Sequence, residues 1–158
     1  MTESERNHHD LAALASAVGV AAGRAGSRDE LERAVTEAAT GGPVRFAWIR
    51  RQGEVTNATV TAGDERFVDG VEATADPPEP WRTATADGSV AVFDPDDAED
   101  AWSRAASEAG ARSVAVVPLH GDAVHGTLTL YAEEDDAFVD PEHLSEIGET
   151  VGRSLDSL

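Results

Sequence analysis

The chain has 158 residues, 31 acidic against 12 basic, for a net charge of −19; every basic residue is arginine, and lysine and cysteine are absent. The length suggests one domain, with enough chain to bury a core without covalent staples. The missing cysteine excludes disulfides, thiolate metal sites, thioether-linked chromophores and cysteine nucleophiles, and the missing basic stripe argues against direct nucleic-acid binding.

In chain order, residues from about Ser4 to Arg24 suit a helix with Leu11, Leu14, Ala15 and Val18 on one face. "SRDELERAVTEAAT" reads as a second helix. Ser27 and Glu30 form a capping box, Leu31, Val35 and Ala38 form the buried stripe, and Gly41-Gly42 ends it. "VRFAWIRR" reads as a strand with Val44, Phe46 and Trp48 on one side and Ala47 and Ile49 on the other. Across the Arg51-Gln52-Gly53 turn, "EVTNATVTA" is its partner. "GDERFVDGVEATADPPEPW" reads as loop. A short helix from near Pro80 ends before Gly88, and "SVAVFD" is a short strand. Asp94 caps a helix with Pro95 at its first position, running to about Ala109. A β-hairpin, Arg112 to Tyr131, follows. Asp140 and Pro141 repeat the cap before a last helix with Leu144, Ile147, Val151 and either Leu155 or Leu158 at helical spacing. The order of elements predicts an α+β domain on an antiparallel sheet. It divides into an N-terminal helix, 1–26, and a domain, 27–158, that ends in an amphipathic helix.

The acidic residues are spread over caps, turns and helix faces. Together with the absent lysine and the small aliphatic side chains, this is the pattern of adaptation to molar salt. There the Debye length is about 3 Å and surface repulsion is screened. Glu133 to Asp136 read as a solvated turn; the EF-hand glycine and spaced bidentate glutamate that calcium would need are missing. The polar N-terminus and the absence of a long apolar run fit a cytoplasmic protein with no membrane contact.

In the hairpin, Gly121-Asp122 fits a two-residue turn. Its register pairs Leu119 with Val124, Val117 with Gly126, Ala115 with Leu128 and Ser113 with Leu130, an apolar face. The other face sets Pro118 against His125, Val116 against Thr127, Val114 against Thr129 and Arg112 against Tyr131. This mixed face suits either a small-molecule pocket or a half-covered sheet surface. His120, Asp122 and His125 at the tip admit a metal reading or a simply hydrated one, and no metal site is assigned. Trp81 with Arg82 could grip a planar anionic ligand or pack in the core. No nucleophile–base pair, phosphate loop or metalloprotease spacing is present.

"RFAWIRR" after a capped helix, "PWRTATADGSVAVFD", "AWSRAASEAGARSVAVVPL" and "VHGTLTLYAEEDDAF" before an amphipathic helix together resemble a GAF domain over Ser27 to Leu158. They are most similar to the GAF domains of haloarchaeal bacterio-opsin-activator-type regulators and of sensor histidine kinases. The resemblance implies a central antiparallel sheet of five or six strands. Its terminal helices would lie on one face, and short helices and loops over the other, where GAF domains hold ligands. That face is the mixed one, and the candidate ligand-binding residues are Trp48, Trp81, Arg82, Phe93, Trp102, Arg112, Val114, Val116, Thr127, Thr129 and Tyr131. The resemblance also implies that the flanking helices often form dimer interfaces. The stripe Leu144, Ile147, Val151 and Leu155 carries more apolar surface than the sheet alone needs, and Leu11, Leu14 and Val18 can join it, which predicts a parallel homodimer through these helices. The chain departs from the family in three ways. Methionine-sulfoxide-reducing members need cysteines, bilin-binding members usually need one, and the cyclic-nucleotide motif contains a lysine. The expectation is a non-enzymatic sensory or regulatory domain without a cofactor. It binds a small-molecule effector and signals through its terminal helices to a downstream transcription regulator or kinase, either as an excised domain or as a stand-alone protein. The alternative is a dimerisation or protein-interaction module with a filled pocket.

Overall fold

A computed structural model describes residues 3–40, 44–51, 59–63, 67, 79–97, 101–135, 137–138 and 141–158. Helices α1 (Glu3–Arg24) and α2 (Arg28–Ala39) lead into strands β1 (Val44–Arg51) and β2 (Thr59–Gly63). Helix α3 (Glu79–Asp87), strand β3 (Ala91–Phe93), a 3₁₀ turn (Pro95–Asp97) and helix α4 (Ala101–Ala109) follow. The hairpin β4 (Ser113–His120) and β5 (Val124–Ala132) precedes the last helix, α5 (Pro141–Asp156). The five strands form one antiparallel sheet in the order β2-β1-β5-β4-β3.

The local signals act much as expected. Ser27 Oγ accepts from the Glu30 amide at 3.2 Å, while the Glu30 carboxylate reaches past the cap to the Gly26 amide at 3.3 Å. The buried stripe of α2 runs Leu31, Val35 and Ala39, so Ala39 rather than Ala38 completes it. The helix expected from Pro95 onward is divided. Asp94 accepts from the Asp96 amide at 2.9 Å and closes a 3₁₀ turn, and α4 begins at Ala101. Gly41-Gly42, the Gln52-Gly53 turn, Asp136 and Asp140 lie outside the described residues.

Two bulges correct the strand readings. In β1, Val44 pairs with Ala132 and Phe46 with Tyr131, which leaves Arg45 as an extra residue. Val44 therefore joins Ala47 and Ile49 on the helix-covered face, away from Phe46 and Trp48. In the hairpin, Ser113 pairs with Ala132, Val114 with Tyr131, Val116 with Thr129 and Leu119 with Gly126, two residues from the expected register. The chain turns through Gly121–Ala123, and His120 pairs with Val124, so His125 is the extra residue. A shift of two preserves side-chain parity, so beyond the bulge both hairpin faces keep their expected composition, while His125 leaves the mixed face.

The helix-covered face is aliphatic. Ala115, Val117, Leu119, Leu128, Leu130 and Ala132 pack under α2 and α5, and α1 lies across those two helices. Leu11, Leu14, Val18, Leu144, Ile147, Val151 and Leu155, assigned above to a dimer interface, lie in this same core, none more than 7% exposed. The physical reason is that α2 and α5 lie on the sheet and α1 packs across both of them, which uses the whole apolar stripe within one chain. Helix α5 sits unusually close to β4. A Cβ on Gly148 would stand 2.3 Å from the Pro118 carbonyl oxygen, and one on Gly152 2.2 Å from the His120 carbonyl carbon. Glycine at these two positions lets helix and strand backbones touch.

Candidate functional site

The opposite face is aromatic. Phe46 and Trp48 of β1, Val114 and Val116 of β4 and Tyr131 of β5 are covered by Phe67, by Trp81 and Ala84 of α3, and by Ala106 and Ala111. The rings form two groups. Phe46, Phe67 and Tyr131 lie with centroids 5.3–5.7 Å apart. Trp81 lies 6.2 Å from Trp48 and meets Phe93 edge-on at 5.8 Å. Such geometries add a directional component to ordinary apolar burial.

One polar pair marks the centre of this face. The Trp81 indole N–H donates to the Thr129 hydroxyl at 2.9 Å, with Thr129 wholly buried and Trp81 2% exposed. Helix α3 delivers the indole because Trp81 and Ala84, three residues apart, form its buried face. Strand β5 delivers the hydroxyl because Thr127, Thr129 and Tyr131 alternate onto the same side. A buried indole N–H left without an acceptor would be costly, so the pair fixes both side chains.

The structure thus brings together Trp48, Trp81, Phe93, Val114, Val116, Thr129 and Tyr131, with Thr127 buried farther along β5 toward the tip. Two expected site residues lie elsewhere. Arg82 is exposed, because the helical turn that buries Trp81 points its neighbour outward. Arg112 precedes β4 and is exposed too, its guanidinium 3.5 Å from Asp96. The two-residue register shift puts Val114, not Arg112, opposite Tyr131. Trp102 lies in α4, but its side chain is outside the described set. Phe46, Phe67 and Ala84 were missed. The alternation in β1 already grouped Phe46 with Trp48, whereas Phe67 lay in a stretch with no periodicity.

Ion pairs gather at the other end of the sheet. Glu32, fully buried, accepts from Arg51 at 2.5–3.0 Å and from Arg28 at 3.2 Å. Hydrogen bonding to Glu32, followed by that to Asp29, raises the Arg51 pKa above its already high ordinary value. Arg28 also donates to the His125 carbonyl at 3.0 Å. The His125 ring meets Asp156 of α5 at 2.6 Å, and Asp122 contributes its backbone amide, not its carboxylate, to Asp156 at 2.7 Å. Among the described residues no three acidic or histidine side chains gather as metal ligands, and no helix is long and apolar enough to cross a membrane.

The GAF domain family model matches residues 25–155, and the chain belongs to that family. No curated protein matches the chain. Among solved structures it is similar to fRMsr of Staphylococcus aureus in complex with substrate. The identity is 17%, the match covers 92% of this chain and 95% of that one, and the TM-score is 0.66. It is also similar to the A. aeolicus nlh2 GAF domain in an inactive state (11% identity, 96% and 99% covered, TM-score 0.66). A domain of a two-component sensor histidine kinase protein from Sinorhizobium meliloti 1021 is a third neighbour (20% identity, 84% and 93% covered, TM-score 0.62). At these identities the likeness concerns the fold.

Proposed function

We propose that this GAF domain is a non-enzymatic regulatory module that keeps its aromatic sheet face filled from within and acts by docking to a partner. The observation that carries this reading is the Trp81–Thr129 hydrogen bond. It uses the central hydroxyl of the face and seats an indole where a ligand would lie. A small effector would have to displace Trp81, break that bond and replace its apolar contacts, so the domain holds no ligand at rest. The absence of cysteine removes thiol-based reduction from the chemistry open to the chain.

The partner is a second copy of the domain, and the surface is the outer side of α1. From Leu11 to Gly23 the sequence carries no charged residue, and Ala13, Ser16, Ala17 and Val20 face outward, Val20 at 51% exposure. Two copies of net charge −19 repel wherever carboxylates oppose each other, and this uncharged face lets them approach. A downstream transcription regulator or kinase would then read the geometry of the paired helices.

Native mass spectrometry of the protein recovered from its own cells in high salt tests the filled face. The expected spectrum shows polypeptide mass alone. A stoichiometric small molecule that is lost on Thr129→Val would overturn it and restore an effector-binding role.

A further inference from the structure

We propose that the tip of the β4–β5 hairpin is a proton-sensitive latch on the last turn of α5, with His125 as its moving part. It does not depend on what fills the aromatic face or on how copies pair.

The bulge supplies the geometry. As the extra residue of β5, His125 is released from strict alternation, and its ring meets α5 rather than the aromatic face with Thr127 and Thr129. Asp156, in the last turn of α5, takes two contacts from the tip: the Asp122 amide at 2.7 Å and the His125 Nε2 at 2.6 Å. The two side chains are 20% and 22% exposed, so protons reach them while water screens them only partly. The backbone of the same histidine is held from the other side by Arg28, at the start of α2. One residue therefore touches both the first turn of α2 and the last turn of α5.

The charges around His125 set the sign. From α5 it faces Asp156, with Glu149 and Arg153 lining the same open cleft. From the tip come His120 and Asp122, and from α2 comes Arg28, which shares Glu32 with Arg51; Arg51 also meets Asp29, so two guanidinium groups stand against two carboxylates. The direct partner is a carboxylate, so a protonated ring makes a charge-assisted hydrogen bond with it and a neutral ring makes an ordinary, weaker one. Closure is then strongest where histidine is protonated and weakens as pH rises through the interval in which histidine loses its charge. A neutral ring can still donate from Nε2, so the contact weakens without vanishing. The Asp122 amide, and then His125, hold the Asp156 carboxyl below the usual carboxylate range, so the acid limb of release lies under that range.

Hydrogen exchange of the amides from Arg153 to Ser157 tests the latch, corrected for intrinsic rates and measured at about pH 5.5 and about pH 8.5, either side of the histidine interval. Wild type should lose protection by about two- to five-fold at the higher pH, the scale of a partly exposed charge pair. His125→Gln and Asp156→Asn should each give a flat profile at the less protected level, with helical content retained. His120→Gln should keep the wild-type dependence. Equal protection at both pH values in wild type would overturn the proposal. So would a dependence that survives in His125→Gln or disappears in His120→Gln. Should His125→Gln fail to fold, Asp156→Asn carries the test, since an amide oxygen can still accept from Asp122 while the charge is gone.

Discussion

The two faces of this sheet are built on different principles. The aliphatic face is covered by α2 and α5, with α1 packed across them. Its buried side chains are almost all aliphatic, Glu32 and Thr36 of α2 being the polar exceptions, and α5 is brought in until backbones touch at Gly148 and Gly152. The aromatic face is covered by short elements. Rings and one indole–hydroxyl bond do the work there that helix length does on the other side. Non-directional burial tolerates small displacements, whereas a hydrogen-bonded aromatic cluster specifies one arrangement. The first face therefore sets how stable the domain is, and the second sets how well its α3 cover is positioned.

The largest expected effect comes from salt. With 31 acidic residues against 12 basic ones, transfer from molar to millimolar potassium chloride should unfold the domain by unscreened repulsion. Far-UV circular dichroism follows the helices of the aliphatic face and tryptophan fluorescence follows Trp48 and Trp81, so the two signals show whether the faces part together. Coincident transitions are expected. Earlier loss of the fluorescence change would mean the aromatic face is a separate unit, and an unchanged Tm across the salt series would refute the halophilic reading.

Leu130→Ala, at the centre of the aliphatic face, should cost about 2–5 kcal/mol in urea unfolding and leave the Trp81 environment intact. Thr129→Val should cost less, about 1–3 kcal/mol, because it preserves shape while stranding a buried indole donor. Trp81→Phe combined with Thr129→Val should recover part of that loss, since both polar partners are then gone. Strict additivity of the two changes would show that the bond contributes nothing. The smallest effect on stability belongs to Val20→Glu on the exposed side of α1, expected within about 0.5 kcal/mol of wild type. Its readout is light scattering at roughly tens of micromolar, the range in which weak dimers form. Wild type should be dimeric and the variant monomeric, and a wild-type monomer would remove the proposed docking face.

What could be read from residues alone followed the reach of each signal. Caps and periodicity act over a turn or two, so Ser27, Pro141 and the stripes of α1, α2 and α5 placed their helices well. Alternation separated Leu128 and Leu130 from Thr129 and Tyr131 correctly, because parity survives a shift of two. The bulges at Arg45 and His125 had no signature in composition, and they moved Val44 to the other face and Arg112 away from Tyr131. The aromatic site was half legible. Trp48, Trp81, Thr129 and Tyr131 stood out by type, but that Trp81 itself would occupy the Thr129 hydroxyl depends on how α3 lies on the sheet. The stripe read as a dimer seam failed for a related reason: amphipathicity shows that a helix face will be covered, not which chain covers it.

The glycine seam limits how α5 can move. An α-helix that advances by one residue rises 1.5 Å and turns about 100°. Either motion would carry a side chain into the space that Gly148 and Gly152 leave for the Pro118 and His120 backbone. Piston strokes and axial rotation of α5 against the sheet are therefore blocked along that seam. Two modes remain open to it. The segment past Gly152 can fray by itself, or the helix and the β4–β5 hairpin can swing together like a hand gripping a rail.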